Sequence, residues 1–401
     1  MTKVYGIPII NYYIMNYTKK TEEVFKSEFG TGCRLFAAPG RINLIGEHTD
    51  YNNGFVMPGA IDKKIYLAIA PIEGSGSKIM AYDLNQSVSF ETLDDKLTLP
   101  QWAMYPYGVI SELKKLGFHS GSFHAVFGGD IPNGAGLSSS AALESVFCFA
   151  LNEMYNFGLD RMTMAKVGQS AEHNFVGVRC GIMDQFASLH GKKDHVMRLD
   201  CRSLEFEYFP LQLNDHELVL VDTQVKHSLA SSEYNLRRAD CEEGVELLKS
   251  KMPGVKSLRD VRSKSLYGFE DLLGKQVYLR CEYVTEENER VLMAGDALGN
   301  GDIEEVGRLL YQSHHGLSSK YHVSCDELNL LVETAKKTNG VLGARMMGGG
   351  FGGCTINLVK KDATEEFKEK INATYQNAFH ALPLFYDVNL SDGVHEILSA
   401  E

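Results

Sequence analysis

Three short segments concentrate residues that could bind or transfer a charged group, and the first comprises residues 39–51. It reads PGRINLIGEHTDY and sets one arginine, two carboxylates and one histidine among apolar residues and glycines. These side chains supply several hydrogen-bond donors and acceptors, which is what a ligand rich in hydroxyl groups requires. An exposed turn held by salt bridges would explain the same composition, so this segment alone leaves both interpretations open.

The second segment, residues 134–140, reads GAGLSSS and leads into a stretch with helical periodicity. Glycines let the backbone approach a ligand closely, and the first turn of a helix offers unpaired N–H groups and the positive end of its dipole. A serine-capped helix would explain one serine, but not three in a row. The segment therefore predicts a phosphate-binding loop. The periodic apolar residues are Leu143, Val146, Phe147, Ala150, Leu151 and Met154.

The third segment, residues 343–354, reads GARMMGGGFGGC and has five glycines within six positions. Ordering such a loop is entropically costly. A flexible hairpin turn is the simple alternative, but tight turns seldom need so many glycines. We expect the backbone here to lie close to a ligand or to the phosphate-binding loop.

Several known catalytic patterns are missing from the sequence. The P-loop pattern G-x-x-x-x-G-K-[ST] is absent; the nearest match, residues 268–275, has the wrong spacing and is followed by Gln276 instead of a hydroxyl residue. The HRD and DFG triplets of protein kinases and the H-E-x-x-H pattern of zinc proteases are also absent. A phosphate site in this chain must therefore be of another kind.

Composition limits the partners of the protein. The 401 residues carry a formal net charge of −12, which disfavours binding to nucleic acid or to an anionic membrane. The eight cysteines are scattered without a C-x-x-C pair, and no apolar run reaches the roughly 18 residues of a membrane span. We interpret the apolar stretch 4–17 as the lead-in to a first helix, and we expect a cytoplasmic monomer.

Strand-like and helix-like segments are mixed along the chain, which indicates an α/β or α+β fold. The length favours two domains, 1–210 and 211–401, although no linker composition marks that boundary. Periodicity and turn signals predict strands at 65–72, 87–90, 122–127, 217–222, 355–359 and 384–388, and helices at 162–174, 233–250, 285–311 and 365–379.

The three segments, in this order, resemble the motifs of the GHMP kinase superfamily, and the first and third resemble those of its galactokinases. The similarity extends over about residues 25–390 and includes 101–103, 180–186, 191–195, 200–204 and 232–235. The resemblance implies a two-domain GHMP kinase fold of the α/β class. Its N-terminal domain would be ribosomal-S5-like, its C-terminal domain ferredoxin-like, and the active site would lie in the cleft between them.

The resemblance also implies ATP and Mg²⁺ as cofactors and transfer of a phosphoryl group to the C1 hydroxyl of galactose. Asp184 and Arg41 match the catalytic pair, and Ser140 and Glu172 match the Mg²⁺ positions. The sugar-binding positions correspond to Glu47, His48, Asp50, Gly181, Asp184 and Tyr234. The ATP positions correspond to Trp102, Gly134, Ala135, Gly136, Leu137, Ser138, Ser139 and Ser140.

The residues alone leave simpler interpretations of some assignments open. Arg41 and Asp184 could form a structural ion pair, Trp102 could be a packing residue, and Tyr234 is assigned by the resemblance alone. A nearby arginine would weaken Asp184 as a base, so we expect Asp184 to orient the anomeric hydroxyl and accept its proton late. Met347 replaces a threonine common in the third motif, and this change could alter nucleotide affinity.

Two rival functions fit the same motifs. An N-acetylgalactosamine kinase of the same subfamily would need room for an acetamido group at C2 of the sugar. A non-catalytic regulator that binds galactose and ATP would be expected to have a damaged phosphate loop. The intact sequence of residues 136–142 favours an enzyme.

Overall fold

The computed structural model describes residues 16–30, 32–90, 98–132, 134–225 and 230–398, so the stretch that we interpret as a lead-in lies outside it up to residue 15. The described strands are β1 (Arg34–Asn43), β2 (Phe55–Val56), β3 (Pro58–Pro71), β4 (Ser77–Ala81), β5 (Gln86–Phe90), β6 (Phe123–Gly129), β7 (His195–Asp200), β8 (Phe206–Pro210), β9 (His216–Asp222), β10 (Val341–Met346), β11 (Cys354–Lys360), β12 (Leu384–Asp387) and β13 (His395–Ile397). The described helices are α1 (Tyr17–Phe29), α2 (Gln101–Lys115), α3 (Ser139–Tyr155), α4 (Arg161–Ala171), α5 (Met183–His190), α6 (Ala230–Lys249), α7 (Glu270–Leu273), α8 (Lys275–Gly299), α9 (Ile303–Gly316), α10 (Asp326–Lys336) and α11 (Thr364–Phe379).

A six-stranded sheet in the order β13-β1-β3-β6-β4-β5 organises the first half of the chain. Successive side chains of a strand point to opposite faces, and β3 buries both sets. Leu67 and Ile69 pack into the main core, whereas Ala68 and Ala70 pack with Phe25 of α1. Helices α3 and α5 pack against β1 and β3. The sheet thus has helices against both faces, and β1 carries Arg41 near its end.

A four-stranded antiparallel sheet in the order β10-β11-β9-β12 organises the second half. Numbered within this half, the order is 2-3-1-4, which is the strand order of the ferredoxin-like fold. Helices α10 and α11 cover one face through a cluster that includes Leu331, Phe367 and Ile371. The third segment of the sequence analysis connects β10 to β11.

One apolar core extends across both halves of the chain. It joins Leu44 and Ile45 of the first segment to Val291 of α8, Leu309 of α9 and Ile356 of β11. The first segment therefore rests on a core to which both halves contribute. The domain boundary near residue 210 stays a prediction.

The helix that the sequence predicts over 285–311 is wrong as a single element, because the structure has two helices there. Helix α8 ends at Gly299, and α9 begins at Ile303. Gly301 adopts a φ of 72°, in the left-handed region, and the Asp302 carboxylate accepts a hydrogen bond from the Glu305 N–H as the N-cap of α9. The sequence Gly-Asn-Gly-Asp at 299–302 is a turn signal. The apolar periodicity continues on both sides of it, which is why the prediction joined the two helices.

Every helix in the described part of the chain is too short or too polar to cross a membrane.

Candidate active site

The end of β1 brings Arg41 against Asp184, which lies in the first turn of α5. Arg41 Nε donates to Asp184 Oδ1 at 2.9 Å and Nη2 donates to Oδ2 at 3.0 Å, so the pair is bidentate. The Arg41 side chain is 5% exposed and the Asp184 side chain 27%. Burial lowers the pKa of Arg41, but the charges of Asp184 and Glu47 raise it by more than burial lowers it. The pKa of Arg41 therefore lies above its usual value. Two residues 143 positions apart in the sequence are thus direct partners.

The phosphate-binding loop is tied to this ion pair. Ser138 Oγ donates to Asp184 Oδ2 at 2.6 Å, and Arg41 Nη1 donates to the Gly136 carbonyl at 2.5 Å. Gly40 lets the two segments meet, because a Cβ there would lie 2.6 Å from the Leu137 carbonyl oxygen. Helix α3 begins directly after the loop, and its first N–H groups have no intrahelical acceptor. The loop therefore lies beside Asp184, and the free N–H groups at the start of α3 lie directly after it.

The glycine-rich third segment lies against the same loop. A Cβ on Gly136 would lie 3.5 Å from the Met347 carbonyl oxygen, and one on Gly353 would lie 3.7 Å from the Ala135 backbone. The expectation of a close backbone approach to the phosphate loop is confirmed by these distances. The Met347 side chain is buried in the main core. Its effect on nucleotide affinity stays a prediction.

A cavity of about 660 Å³ opens beside the loop. Trp102, Tyr105 and Phe127 line it together with Gly134, Ser139 and Ser140. Trp102 packs on Phe127 with 5.5 Å between ring centroids, and its Nε1 donates to Gln86 Oε1 at 2.7 Å. The tryptophan is thus a packing residue and a wall of the cavity at once. An adenine base beside phosphates on the loop would occupy such a space.

A second cavity, of about 160 Å³, has both Arg41 and Asp184 in its lining. Its volume is below the roughly 300–1,000 Å³ of sites for drug-sized ligands, which suits a small polar molecule. All six residues predicted to bind sugar line it: Glu47, His48, Asp50, Gly181, Asp184 and Tyr234.

Glu47 connects the first segment to the third. Its Oε1 accepts hydrogen bonds from Arg345 Nη2 at 3.1 Å and from the Gly348 N–H at 2.8 Å. Arg345 is fully buried and also donates to the carbonyls of Asn43 and Leu44. Arg345 therefore fixes both the backbone and the carboxylate of the first segment.

Helix α8 holds the first segment and the start of β2 through three polar side chains. Tyr283 Oη donates to the Glu47 carbonyl at 3.0 Å. Glu287 Oε1 accepts from the Gly46 N–H at 2.9 Å, and Asn288 Oδ1 accepts from the Phe55 N–H at 3.0 Å. Sequence analysis missed these three residues and Arg345. For the three residues of α8, polar side chains within the buried face of a long helix were the available signal.

Glu172 begins a π-helical turn, Glu172–Val176, that continues α4. Burial and the nearby Asp184 charge raise the pKa of Glu172 to about 7. Gln185 Nε2 donates both to Glu172 Oε2 at 3.0 Å and to Glu144 Oε2 at 2.8 Å. Glu144 lies one turn after Ser140 in α3, so helix geometry places both on one face.

The described residues contain no group of three or more His, Cys, Asp or Glu side chains arranged to hold a metal ion. Mg²⁺ does not require such a group, because it keeps several waters and uses one or two protein oxygens plus substrate phosphates. A buried carboxylate with few partners, such as Glu172, fits that need.

Asp50 gives the site a pH-dependent contribution to stability. Burial and the Asp184 charge raise the pKa of Asp50 to about 7, against about 3.9 in an unfolded chain. The folded state therefore holds this proton more tightly, and the associated stability is present at low pH and lost as pH rises towards 7. Asp50→Asn removes the charge and should keep the bond from the Tyr51 N–H.

We expect Asp50→Asn to raise the thermal unfolding midpoint at pH 8, with a gain in stability on the order of 1 kcal/mol, and to raise it less at pH 5. Differential scanning fluorimetry at the two pH values measures the effect, with the exposed Asp387→Asn as the control. Equal shifts at both pH values would contradict the raised pKa.

Three family models match the chain. The galactokinase galactose-binding signature matches residues 23–71, the N-terminal domain of GHMP kinases matches residues 104–192, and the C-terminal domain of GHMP kinases matches residues 296–377. The first segment falls within the first match, the phosphate-binding loop within the second, and the glycine-rich segment within the third.

Curated relatives and solved structures agree with these matches. A galactokinase of Thermotoga neapolitana is 45% identical over 361 residues, which are 90% of this chain and 99% of the relative. A galactokinase of Clostridium acetobutylicum is 39% identical over 386 residues, which are 94% of this chain and 98% of the relative. The crystal structure of Lactococcus lactis galactokinase complexed with galactose is similar, with a TM-score of 0.91 at 33% identity. The match covers 94% of this chain and 99% of that structure. The mevalonate kinase of Methanococcus jannaschii has a TM-score of 0.64 at 18% identity and shares the fold.

Proposed function

Because the chain belongs to the galactokinase family of the GHMP kinases, we propose that it transfers the γ-phosphoryl group of ATP to the C1 hydroxyl of galactose. The products are galactose 1-phosphate and ADP. One observation carries the proposal: the small polar cavity and the phosphate-binding loop meet at the Arg41–Asp184 pair. A sugar in the cavity and a nucleotide on the loop would bring acceptor and donor together there.

Asp184 and Arg41 then divide the chemistry between them. Asp184 accepts a hydrogen bond from the anomeric hydroxyl, orients it towards the γ-phosphorus and takes its proton late in the transfer. Arg41, held above its usual pKa, keeps its positive charge and stabilises the charge on the transferring group. Phosphoryl transfer depends chiefly on such positioning and electrostatic stabilisation. The chain lacks a P-loop lysine, so Arg41, the start of α3 and a metal ion share this role.

Ser140 and Glu172 would hold Mg²⁺, which supplies charge neutralisation on the phosphate oxygens when it is bound. We expect Glu172→Gln to raise the MgCl₂ concentration that gives half-maximal rate by about 10–100-fold. A readout without turnover is the thermal unfolding midpoint, measured as Mg²⁺ is titrated into protein that holds a non-hydrolysable ATP analogue. The exposed Glu304→Gln is the control, and an unchanged Mg²⁺ requirement for Glu172→Gln would remove Glu172 from the metal site.

Gly181 shapes the sugar cavity. A Cβ at this position would lie 1.8 Å from Asp50 Oδ2, so any side chain displaces that carboxylate. We expect Gly181→Ala to raise the KM for galactose by about tenfold or more, since clashes of this kind cost about 1–3 kcal/mol. Steady-state kinetics with varied galactose measures the effect. Gly299→Ala is the control because a Cβ there meets no atom within 4 Å. An unaltered KM for galactose in Gly181→Ala would show that Asp50 does not bind the sugar.

The eight cysteines are free thiols. Unpaired thiols are usual in the reducing cytosol, and this supports the proposed cytoplasmic location.

The experiment that tests the function is ADP release with MgATP against galactose, glucose, N-acetylgalactosamine, homoserine and mevalonate. We expect turnover with galactose, little with its C4 epimer glucose, and loss of turnover with EDTA. The steep preference arises because buried polar groups would be left unpaired by the wrong epimer. Preference for N-acetylgalactosamine would overturn the substrate, and galactose binding without any turnover would identify a sensor.

A further inference from the structure

A chain of buried hydroxyl and thiol groups leads from His48 into the second half of the protein. His48 Nδ1 lies 2.7 Å from Tyr51 Oη, which lies 2.9 Å from Tyr321 Oη. Tyr321 Oη in turn lies 3.2 Å from Cys241 Sγ. None of these three partners has a role in the proposed transfer. We call Cys241, Tyr321 and Tyr51 the hydroxyl relay.

The surroundings keep every member of the relay neutral. Burial raises the pKa of Tyr51 and of Tyr321 well above 10, and it raises the pKa of Cys241 to about 12. Burial also lowers the pKa of His48 to about 3, so its ring is uncharged at neutral pH. Each tyrosine and the cysteine therefore carries one proton to donate, and the imidazole carries one N–H.

One arrangement of these protons uses the strongest acceptor. An imidazole nitrogen is a better acceptor than a phenol oxygen, so the Tyr51 hydroxyl donates to His48 Nδ1. Tyr51 Oη can then accept from Tyr321, and Tyr321 Oη can accept from the Cys241 thiol. The Arg237 carbonyl is a poorer partner for Tyr321, because it lies 3.5 Å from the hydroxyl. With Nδ1 as the acceptor, the imidazole proton must sit on Nε2.

The position of His48 Nε2 gives this arrangement a consequence. Nε2 is buried and makes no hydrogen bond of good geometry with the described residues, although a backbone hydrogen bond with Gly349 raises the pKa of the ring. His48 and Gly349 both line the sugar cavity. A buried donor without a well-placed partner loses part of the hydrogen bond that it makes in water, and a ligand that supplies a better acceptor recovers this energy.

We propose that the hydroxyl relay fixes His48 as the Nε2–H tautomer, so that His48 donates a hydrogen bond to one oxygen of the bound sugar. Tyr51 and Tyr321 are thereby positioning residues that determine which hydrogen-bond role the site offers the substrate. The inference rests on the proposed function, since it concerns how the same cavity recognises a sugar.

The backbone holds both ends of the relay in place. His48 has a φ of 62°, which is uncommon for a residue with a side chain, and Asn52 Nδ2 donates to its carbonyl at 2.9 Å. Tyr321 ends a π-helical turn, Leu317–Tyr321, and Arg237 Nε donates to its carbonyl at 2.9 Å. Such turns are rare and frequent at functional sites. The relay thus joins two constrained segments from opposite halves of the chain.

The direct test is the tautomer of His48 in the full-length protein without sugar. Long-range ¹H–¹⁵N correlation spectra of ¹⁵N-histidine-labelled protein distinguish the two neutral tautomers, and loss of one signal set in His48→Gln assigns His48. We expect the Nε2–H pattern, which stays neutral down to at least pH 5. The Nδ1–H pattern, or an equal mixture, would overturn the proposal whether or not the protein phosphorylates galactose.

The functional test uses galactose, its monodeoxy analogues and its monodeoxyfluoro analogues as substrates or ligands. Fluorine can accept a hydrogen bond but cannot donate one, so at one ring position the fluoro sugar should bind about 2–10-fold more tightly than the deoxy sugar. Tyr51→Phe should abolish that difference and raise the KM for galactose about 2–10-fold, with the KM for ATP unchanged. Tyr321→Phe should act in the same direction with a smaller effect, and the exposed Tyr267→Phe is the control.

The outcomes separate the inference from the function on which it rests. Wild-type protein that phosphorylates galactose but shows no fluoro preference dependent on Tyr51 would overturn the relay alone. Wild-type protein without turnover of galactose would overturn the proposed function, while the tautomer spectrum would still report on the relay.

Discussion

Asp184→Asn lowers kcat with galactose by about 10²–10⁴-fold, which is the usual loss when a group that orients or accepts a proton is removed. Asparagine has the same shape as aspartate and keeps an oxygen for Arg41 or for Ser138, which both bond to Asp184 in the wild-type protein. It cannot take the proton of the anomeric hydroxyl. The loss should therefore fall on kcat, and isothermal titration calorimetry should show galactose still bound.

Two further variants make this result specific. Arg41→Lys keeps a positive charge but loses the fork that makes the bidentate contact, so it should also reduce kcat. Asp387→Asn, an exposed acid-to-amide change in β12, should leave kcat unchanged. Turnover close to wild type in Asp184→Asn would refute the assignment of Asp184 and return the Arg41–Asp184 pair to a structural role.

Arg345→Met lowers the free energy of unfolding by about 3–5 kcal/mol, the typical effect of removing one partner of a buried ion pair. Arg345 is fully buried, and the Glu47 side chain is 2% exposed. Without the guanidinium, Glu47 keeps only the bond from the Gly348 N–H among those that hold its Oε1, and the carbonyls of Asn43 and Leu44 lose their donor. Urea denaturation followed by circular dichroism measures the change.

The matched control is Arg308→Met, which removes a half-exposed arginine of α9 whose partner is Glu305. Exposed pairs contribute about 0–1 kcal/mol, so this variant should be nearly as stable as the wild type. Adding Glu47→Gln to Arg345→Met should recover part of the loss, since it removes the uncompensated charge. Arg345→Met with wild-type stability would show that the Glu47 carboxylate finds another partner.

The residues that line the small polar cavity could largely be predicted from sequence, because they lie in short contiguous motifs. The six residues predicted to bind sugar line one cavity, although Asp184 and Tyr234 lie more than a hundred positions after Glu47. Composition made the phosphate-binding loop recognisable, since its glycines and serines have few other uses before a helix. The roles of these residues stay proposals until the variants are measured.

The residues that hold those motifs in place could not be predicted. Tyr283 and Glu287 of α8 and Arg345 of β10 bond to the first segment from more than 230 positions away. Periodicity indicates which face of a helix is buried, but not which buried polar group meets which backbone atom across the fold. Tyr51 and Tyr321 are another such pair, 270 positions apart. These pairings are a property of the tertiary structure, and no local pattern records them.

The pairing of β13 with β1 has a consequence for the synthesis of the protein on the ribosome. Arg34 of β1 and Glu396 of β13 form an ion pair 362 positions apart, and β13 is the edge strand beside the strand that carries Arg41. At about 5–20 residues per second, β1 leaves the ribosome roughly 20–70 seconds before its last neighbour exists. During that interval one edge of β1 offers unpaired backbone groups to any other strand. Nascent chains should therefore expose this edge to chaperones for most of the time in which residues 43–395 are translated.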